Sequence, residues 1–177
     1  IDDLNKTYEE LYNEKRHTEK VSSFHNSLTL GISQGMNIEQ IIETIYSTLN
    51  VPVLIQDLSF NTHQYVGLTE EEFDLLAEDF ARQMPQTRSG KILIQPIDPM
   101  HAIQVDCPNH TRLISPITVH QQIIGYISFI YLSKDHNFKE EMNYVQRSAV
   151  CISLWQKKEK SSLEAIENIK AFLFEQL

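Results

Sequence analysis

Apolar residues at Ile1, Leu4, Tyr8 and Leu11 recur at spacings of three and four in a Pro-free segment, which predicts a helix to about Gly31. The register weakens through Lys15 and Thr18 and returns, shifted, at Val21, Phe24 and Leu28. Such a shift predicts a helix that changes contact partner along its length rather than one uninterrupted zipper. Asn37 with Gln40 forms a capping-box pattern ahead of Ile38, Ile41, Ile42, Ile45 and Leu49, so a short amphipathic helix should follow and stop at Asn50.

The period then changes from helical to alternating. Val51 to Asp57 reads as a strand with Pro52 near its start, and Thr62 to Val66 as its hairpin partner across a turn at Asp57 to Asn61. A second capping box, Thr69 with Glu72, opens a helix whose apolar face is Phe73, Leu76, Ala77, Phe80 and Met84, ended by Pro85. Lys91 to Ile97 and Ala102 to Val105 are short strand-like runs around the turn-forming Asp98-Pro99, and Cys107 to Thr111 reads as a loop. The strongest strand pair is Leu113 to Val119 with Ile123 to Leu132, a central antiparallel hairpin turning at His120-Gln121-Gln122.

From a third capping-box pattern, Asn137 with Glu140, a heptad-like series runs through Met142, Val145, Ala149, Ile152, Gln156, Glu159, Leu163, Ile166, Lys170, Leu173 and Leu177. Ser161 with Glu164 leaves open whether one helix continues or a second begins. The order of elements predicts an α+β fold, a mostly antiparallel central sheet with the N- and C-terminal helices packed on one face.

Composition narrows the function. A chain of 177 residues suits one core with helical extensions, and 24 acidic against 15 basic residues give a net charge of −9, which argues against contact with nucleic acid or anionic lipid. The longest greasy stretch, Ile123 to Leu132, falls short of a membrane helix. Two widely spaced cysteines, Cys107 and Cys151, make neither a disulfide framework nor a zinc signature, which fits a cytoplasmic setting. Starting at Ile1 without a Met and stopping at Leu177 inside an apolar pattern, the chain reads as a piece of something longer.

Catalytic signals are weak. His101, Asp106, Cys107 and His110 are metal-ligand types but match no standard zinc spacing, so an ordinary polar loop is expected, with no metal and no cofactor. Five glycines form no phosphate cradle, and Glu70, Glu71 and Glu72 are a favoured acidic first turn. The expected pocket lies between the central strands and the Thr69 helix, with Tyr65, Phe80, Arg88, Arg112, Ser115, Tyr126 and Ser128 as candidate contacts. Strand alternation suggests hydroxyls of Ser115, Tyr126 and Ser128 among apolar neighbours on one side of the sheet, while Arg88 and Arg112 would suit an anionic metabolite. The terminal helices are expected to form a parallel homodimer through Leu4, Leu11, Val145, Ile152, Leu163 and Ile166.

Three blocks carry a family resemblance: Ile38 to Ile45 leading into Val51 to Asp57, Ser115-Pro116-Ile117 through Gln122 to Ile127, and Ala171 to Leu177. Together they resemble a GAF-type sensor, and are similar in wording to the N-terminal sensors of PucR/CdaR-type transcription regulators. The resemblance implies a GAF/PAS-like domain over 36–158, a signalling and dimerisation helix over 1–35, and a linker helix over 159–177 toward an effector domain. It implies non-catalytic sensing of a small metabolite, with DNA contacted only by another domain. A GAF domain of a sensor kinase or cyclic-nucleotide signalling protein, and a ligand-free dimerisation scaffold, are the alternatives.

Overall fold

The computed structural model describes residues 2–84, 101–133 and 137–175. Helices α1 (Asp2–Ser33) and α2 (Ile38–Leu49) precede the hairpin β1 (Val53–Gln56) and β2 (Thr62–Val66). Helix α3 (Glu70–Gln83), strands β3 (Ile103–Asp106), β4 (Thr111–Val119) and β5 (Gln122–Tyr131), and helix α4 (Lys139–Glu175) complete the order. The five strands form one antiparallel sheet, β2-β1-β5-β4-β3. The expected α+β class, with the terminal helices gathered on one face, is what the chain adopts.

Local sequence sets most boundaries. The Asn37 side chain accepts the Gln40 N–H while Gln40 reaches back to the Asn37 N–H, and Asn50 closes α2 in the left-handed region at φ 53°. Thr69 and Glu72 cap α3 in the same reciprocal way. At α4 the pattern differs from expectation: the Asn137 side-chain Oδ1 accepts the Lys139 N–H rather than that of Glu140. Ser161 does not start a new helix, since α4 runs unbroken to Glu175. The strand expected at Val51 to Asp57 shortens to Val53–Gln56, with Val51 and Pro52 leading in. The expected strand at Lys91 to Ile97 lies outside the described residues.

Cross-strand pairs assign the two faces. Val53 pairs with Phe129 and Phe129 with Leu113, and these join Ile41, Ile45, Phe24, Leu28, Val145 and Ile152 in the principal core beneath α1, α2 and α4. On the other face the row Tyr65, Leu54, Ser128, Ile114, Ile103 runs across the sheet on the side covered by α3. Gly125 allows the close approach of β1: a Cβ there would sit 2.5 Å from the Gln56 carbonyl oxygen.

Helices α1 and α4 lie side by side and run in the same direction. Asn143 meets His17, Cys151 meets His25 and the Lys158 ammonium donates to the Ile32 carbonyl, each at a separation of 126 residues. At that constant offset, residues of α1 before Asn13 extend past the start of α4, and residues of α4 after Glu159 extend past the end of α1. The two helices therefore project from opposite ends of the domain. Among the described residues, thirteen of the eighteen exposed large hydrophobic side chains lie on these two helices.

The expected dimer contacts divide accordingly. Leu4 is 76% exposed and Leu11, Leu163 and Ile166 are also exposed, but Val145 and Ile152 are buried within the chain's own core. The reason is geometric: the same helical stripe that continues as Leu163 and Ile166 faces the sheet wherever the sheet is present. No helix among the described residues is long and apolar enough to cross a membrane.

Candidate functional site

The face of the sheet under α3 carries a chain of buried polar groups. Helix α3 buries Leu76, Asp79 and Phe80, so an acid occupies the inward stripe, while Ala77, expected there, is exposed. The Asp79 carboxylate accepts the Asn109 backbone N–H at 2.9 Å and its side-chain amide at 3.0 Å. It lies 2.6 Å from His110 Nδ1, and Arg112 Nε donates to His110 Nε2 at 2.8 Å. Since Nε2 must accept, Nδ1 carries the proton given to Asp79, and the imidazole is neutral. Arg112 also donates to the Leu76 carbonyl at 3.1 Å and stacks over the Phe80 ring, 4.1 Å from its centroid.

Burial drives the Arg112 guanidinium down to about 10, against the opposing pull of Cys107 and Asp79. Burial also raises the Asp79 carboxyl, but the bonds from Asn109 and His110 outweigh it and leave it below the ordinary carboxylate range. A buried ion pair with an imidazole between its charges is thus laid between α3 and the loop entering β4.

Next to it stands an aromatic stack. Phe60 lies parallel to Tyr126 at 4.3 Å and tilted against Phe80 at 5.6 Å. Phe60 adopts φ 62°, a left-handed conformation that costs a β-carbon residue about 1 kcal/mol or more and is held by its surroundings. The Asp57 carboxylate organises that turn by accepting the Ser59 and Asn61 N–H groups. Gln56 ties the turn to the sheet: its amide donates to the Phe60 carbonyl, and its oxygen accepts the Ser128 hydroxyl at 2.8 Å.

Of the candidate contacts, Phe80, Arg112, Tyr126 and Ser128 come together on this face. Ser115 does not. It pairs with Ile127, whereas Ser128 pairs with Ile114, so Ser115 falls on the opposite face and lines a groove of about 760 Å³ with Ala149 and Leu154. Tyr65 shares the α3 face but sits on the edge strand β2, partly exposed and stacked on Phe73 at 4.4 Å. Arg88 lies outside the described residues. Asp79, His110, Gln56 and Phe60 were not among the expected contacts. The signal for Asp79 was an acid three residues from Leu76 in an apolar stripe; Phe60, a turn residue, gave none.

The metal-ligand types also regroup. Asp79, Cys107 and His110 are buried with ligand atoms within 4.8 Å of one another, while His101 is exposed and Asp106 accepts from Gln104 and Thr111. A divalent ion at the triad would have to displace the proton between His110 and Asp79 beside the Arg112 cation, so the donor set fits an ion pair better than a metal centre. On the outer side of α3, a depression of about 370 Å³ lined by Leu75, Asp79, Arg82, Asn109 and Leu132 reaches this network from solvent.

No family model and no curated protein matches the chain. Solved structures do. The GAF domain of NlH2 from A. aeolicus, described in an inactive state, is similar over 81% of this chain and 99% of its own, at 17% identity and TM-score 0.47. A GAF domain/HD domain protein from Geobacter sulfurreducens is similar over 71% of this chain and 97% of its own, at 16% identity and TM-score 0.39. The cofactor-binding GAF domain of the nutrient sensor CodY from Clostridium difficile is similar over 82% of this chain and 96% of its own, at 12% identity and TM-score 0.37.

Proposed function

We propose that this chain is a non-catalytic, GAF-type sensing and dimerisation domain of a transcription regulator, with a small anionic metabolite bound on the α3 face. The observation that carries the sensing role is Arg112, 1% exposed, whose Asp79 counter-charge stands one imidazole away. Holding a cation there costs desolvation that a plain core avoids, and perturbed charges in such places concentrate at functional sites. Phe60, Phe80 and Tyr126 would supply flat apolar contacts beside it.

The same site suggests how binding would be transmitted. A ligand drawing on Arg112 competes with the bonds that hold α3 to the β4 loop, and it acts only through different affinity for two arrangements of those elements. Residues 1–35 and 159–177 would carry the result between copies, with Leu4, Leu11, Leu163 and Ile166 as exposed contacts. The regulator context rests on the resemblance of the Ser115 to Ile127 hairpin and the Ala171 to Leu177 segment to PucR/CdaR-type sensors.

Thermal-shift screening against carboxylate and phosphate metabolites tests the sensing role, because a ligand specific for the folded state raises the midpoint by mass action. Arg112→Gln should abolish the shift, and Tyr126→Leu, which removes the stacked ring but leaves the ion pair, should weaken it. A specific shift that survives both substitutions would move the site elsewhere. The 4.3 Å Phe60–Tyr126 stack favours one other reading, a filled scaffold, and the absence of any shift across the panel would select it.

A further inference from the structure

On the stripe of β4 that faces the principal core, Ser115 stands between Leu113 and Ile117 and breaks an otherwise apolar row. It is 4% exposed, yet its hydroxyl makes no hydrogen bond among the described residues. A buried hydroxyl left without a partner costs stability that an apolar side chain of similar size would avoid. What it faces is space. Ser115 and the equally small Ala149 line the groove of about 760 Å³ between β4 and α4, against about 370 Å³ for the depression outside α3.

The groove has a direction. Tyr131 at the end of β5 pairs with Thr111 and packs on Phe138 just ahead of α4, while the Ser153 hydroxyl donates to the Thr118 carbonyl. Helix α4 therefore runs alongside β4 in the same direction. Ser115 and Gln146 stand at one end of the groove, and His120 and Lys157 stand beside the β4–β5 turn at the other. Between them Pro116, Val150 and Leu154 form apolar walls. Ala149 and Lys157, eight residues apart on α4, are separated by about 12 Å along the helix axis. Among the described residues Lys157 forms no ion pair and the Gln146 amide makes no hydrogen bond.

We propose that this groove is a second small-molecule site, on the face of the sheet opposite α3, for an apolar carboxylate that carries a hydroxyl group at its far end. The carboxylate pairs with Lys157, the apolar body covers Pro116, Val150 and Leu154, and the hydroxyl meets Ser115 and Gln146. Each group that the chain leaves unpartnered along the groove thus gains its complement. The site is separate from the Arg112 network, because Ser115 and Ser128 fall on opposite faces of the sheet, so both can be filled at once. A molecule held here bears on α4 just before Glu159, beyond which the helix projects from the domain.

An amide-resolved NMR titration with para-hydroxyphenylpropionate tests it, with phenylpropionate and tyramine as the analogues that lack the hydroxyl and the carboxylate. The wild-type chain should bind the first about fivefold more tightly than phenylpropionate and at least about tenfold more tightly than tyramine, with shifts centred on β4 and α4. Ser115→Ala should bring the two acids to within about twofold of each other, because it removes the hydroxyl that tells them apart. Lys157→Glu, at an exposed position, should raise the dissociation constant of both acids by at least about tenfold. The amide spectrum itself reports that each variant is folded. Acids that bind with shifts centred on α3, or with affinities indifferent to both substitutions, overturn this site. So does the absence of a saturable shift for all three probes at millimolar concentration, which leaves the α3-face reading to its own screen.

Discussion

His110 and Asp79 lie 2.6 Å apart between a loop and a helix that are 31 residues apart in sequence, and Arg112 holds the far side of the same imidazole. One ring thus fastens α3 to the sheet and sets the tautomer through which two charges communicate. A cut at Asp79 leaves the Arg112 cation buried without compensation, whereas an apolar replacement of the whole set would leave nothing unpaired.

Asp79→Asn should therefore destabilise the fold by about 3–5 kcal/mol at pH 7, measured by urea denaturation. The pH dependence follows from the direction of its shift. The folded carboxyl is depressed, so its contribution is complete above the unfolded value of about 3.9 and is lost as pH falls through the folded value. Between pH 5 and pH 2 the wild type should lose stability more steeply than Asp79→Asn. Equal slopes in the two proteins would show that Asp79 does not hold its charge in the folded state.

Gly125 is required by a neighbouring strand rather than by its own backbone conformation. A methyl group there meets the Gln56 carbonyl oxygen, a backbone atom already fixed by the Tyr126 pairing. Gly125→Ala should cost about 1–3 kcal/mol by forcing β1 from β5. Because Gln56 also holds Ser128 and the Phe60 turn, the variant should lose near-UV aromatic signal before it loses far-UV signal.

The buried and exposed halves of the α4 stripe should respond oppositely to truncation. Ile152→Ala removes core packing and should lower unfolding free energy by about 2–5 kcal/mol while leaving the association constant per folded chain unchanged. Leu163→Ser, 61% exposed, should change monomer stability by less than about 0.5 kcal/mol and weaken self-association. Reversal of the two outcomes would place the partner against the sheet-facing side of α4.

This division shows what periodicity conveys. The apolar spacing from Val145 to Leu163 located α4, yet spacing alone does not say what covers a stripe; that depends on the constant offset to α1 and on where the sheet ends. Elements with local codes were legible for the opposite reason: the Asn37–Gln40 and Thr69–Glu72 boxes carry their own donors and acceptors. The site fell between these cases. Phe80, Tyr126 and Ser128 follow from helix and strand alternation and Arg112 was named for its charge alone, but Ser115 went to the wrong face because pairing register is a relation between strands. Phe60 reaches the stack only through a left-handed turn that no periodicity reports.

The β4–β5 turn offers a gain in stability. His120 and Gln121 both take positive φ, 51° and 65°, in a two-residue connection where Asn-Gly is the favoured pair. Neither residue is buried, so replacing them disturbs no core contact. His120→Asn with Gln121→Gly should relieve the strain at both positions and stabilise the fold by about 0.5–1.5 kcal/mol, despite the added freedom of glycine in the unfolded chain. The midpoint of thermal unfolding should rise by roughly 1–5 °C for a chain of this size. A fall would mean that the His120 or Gln121 side chain contributes more to the folded state than its backbone strain costs.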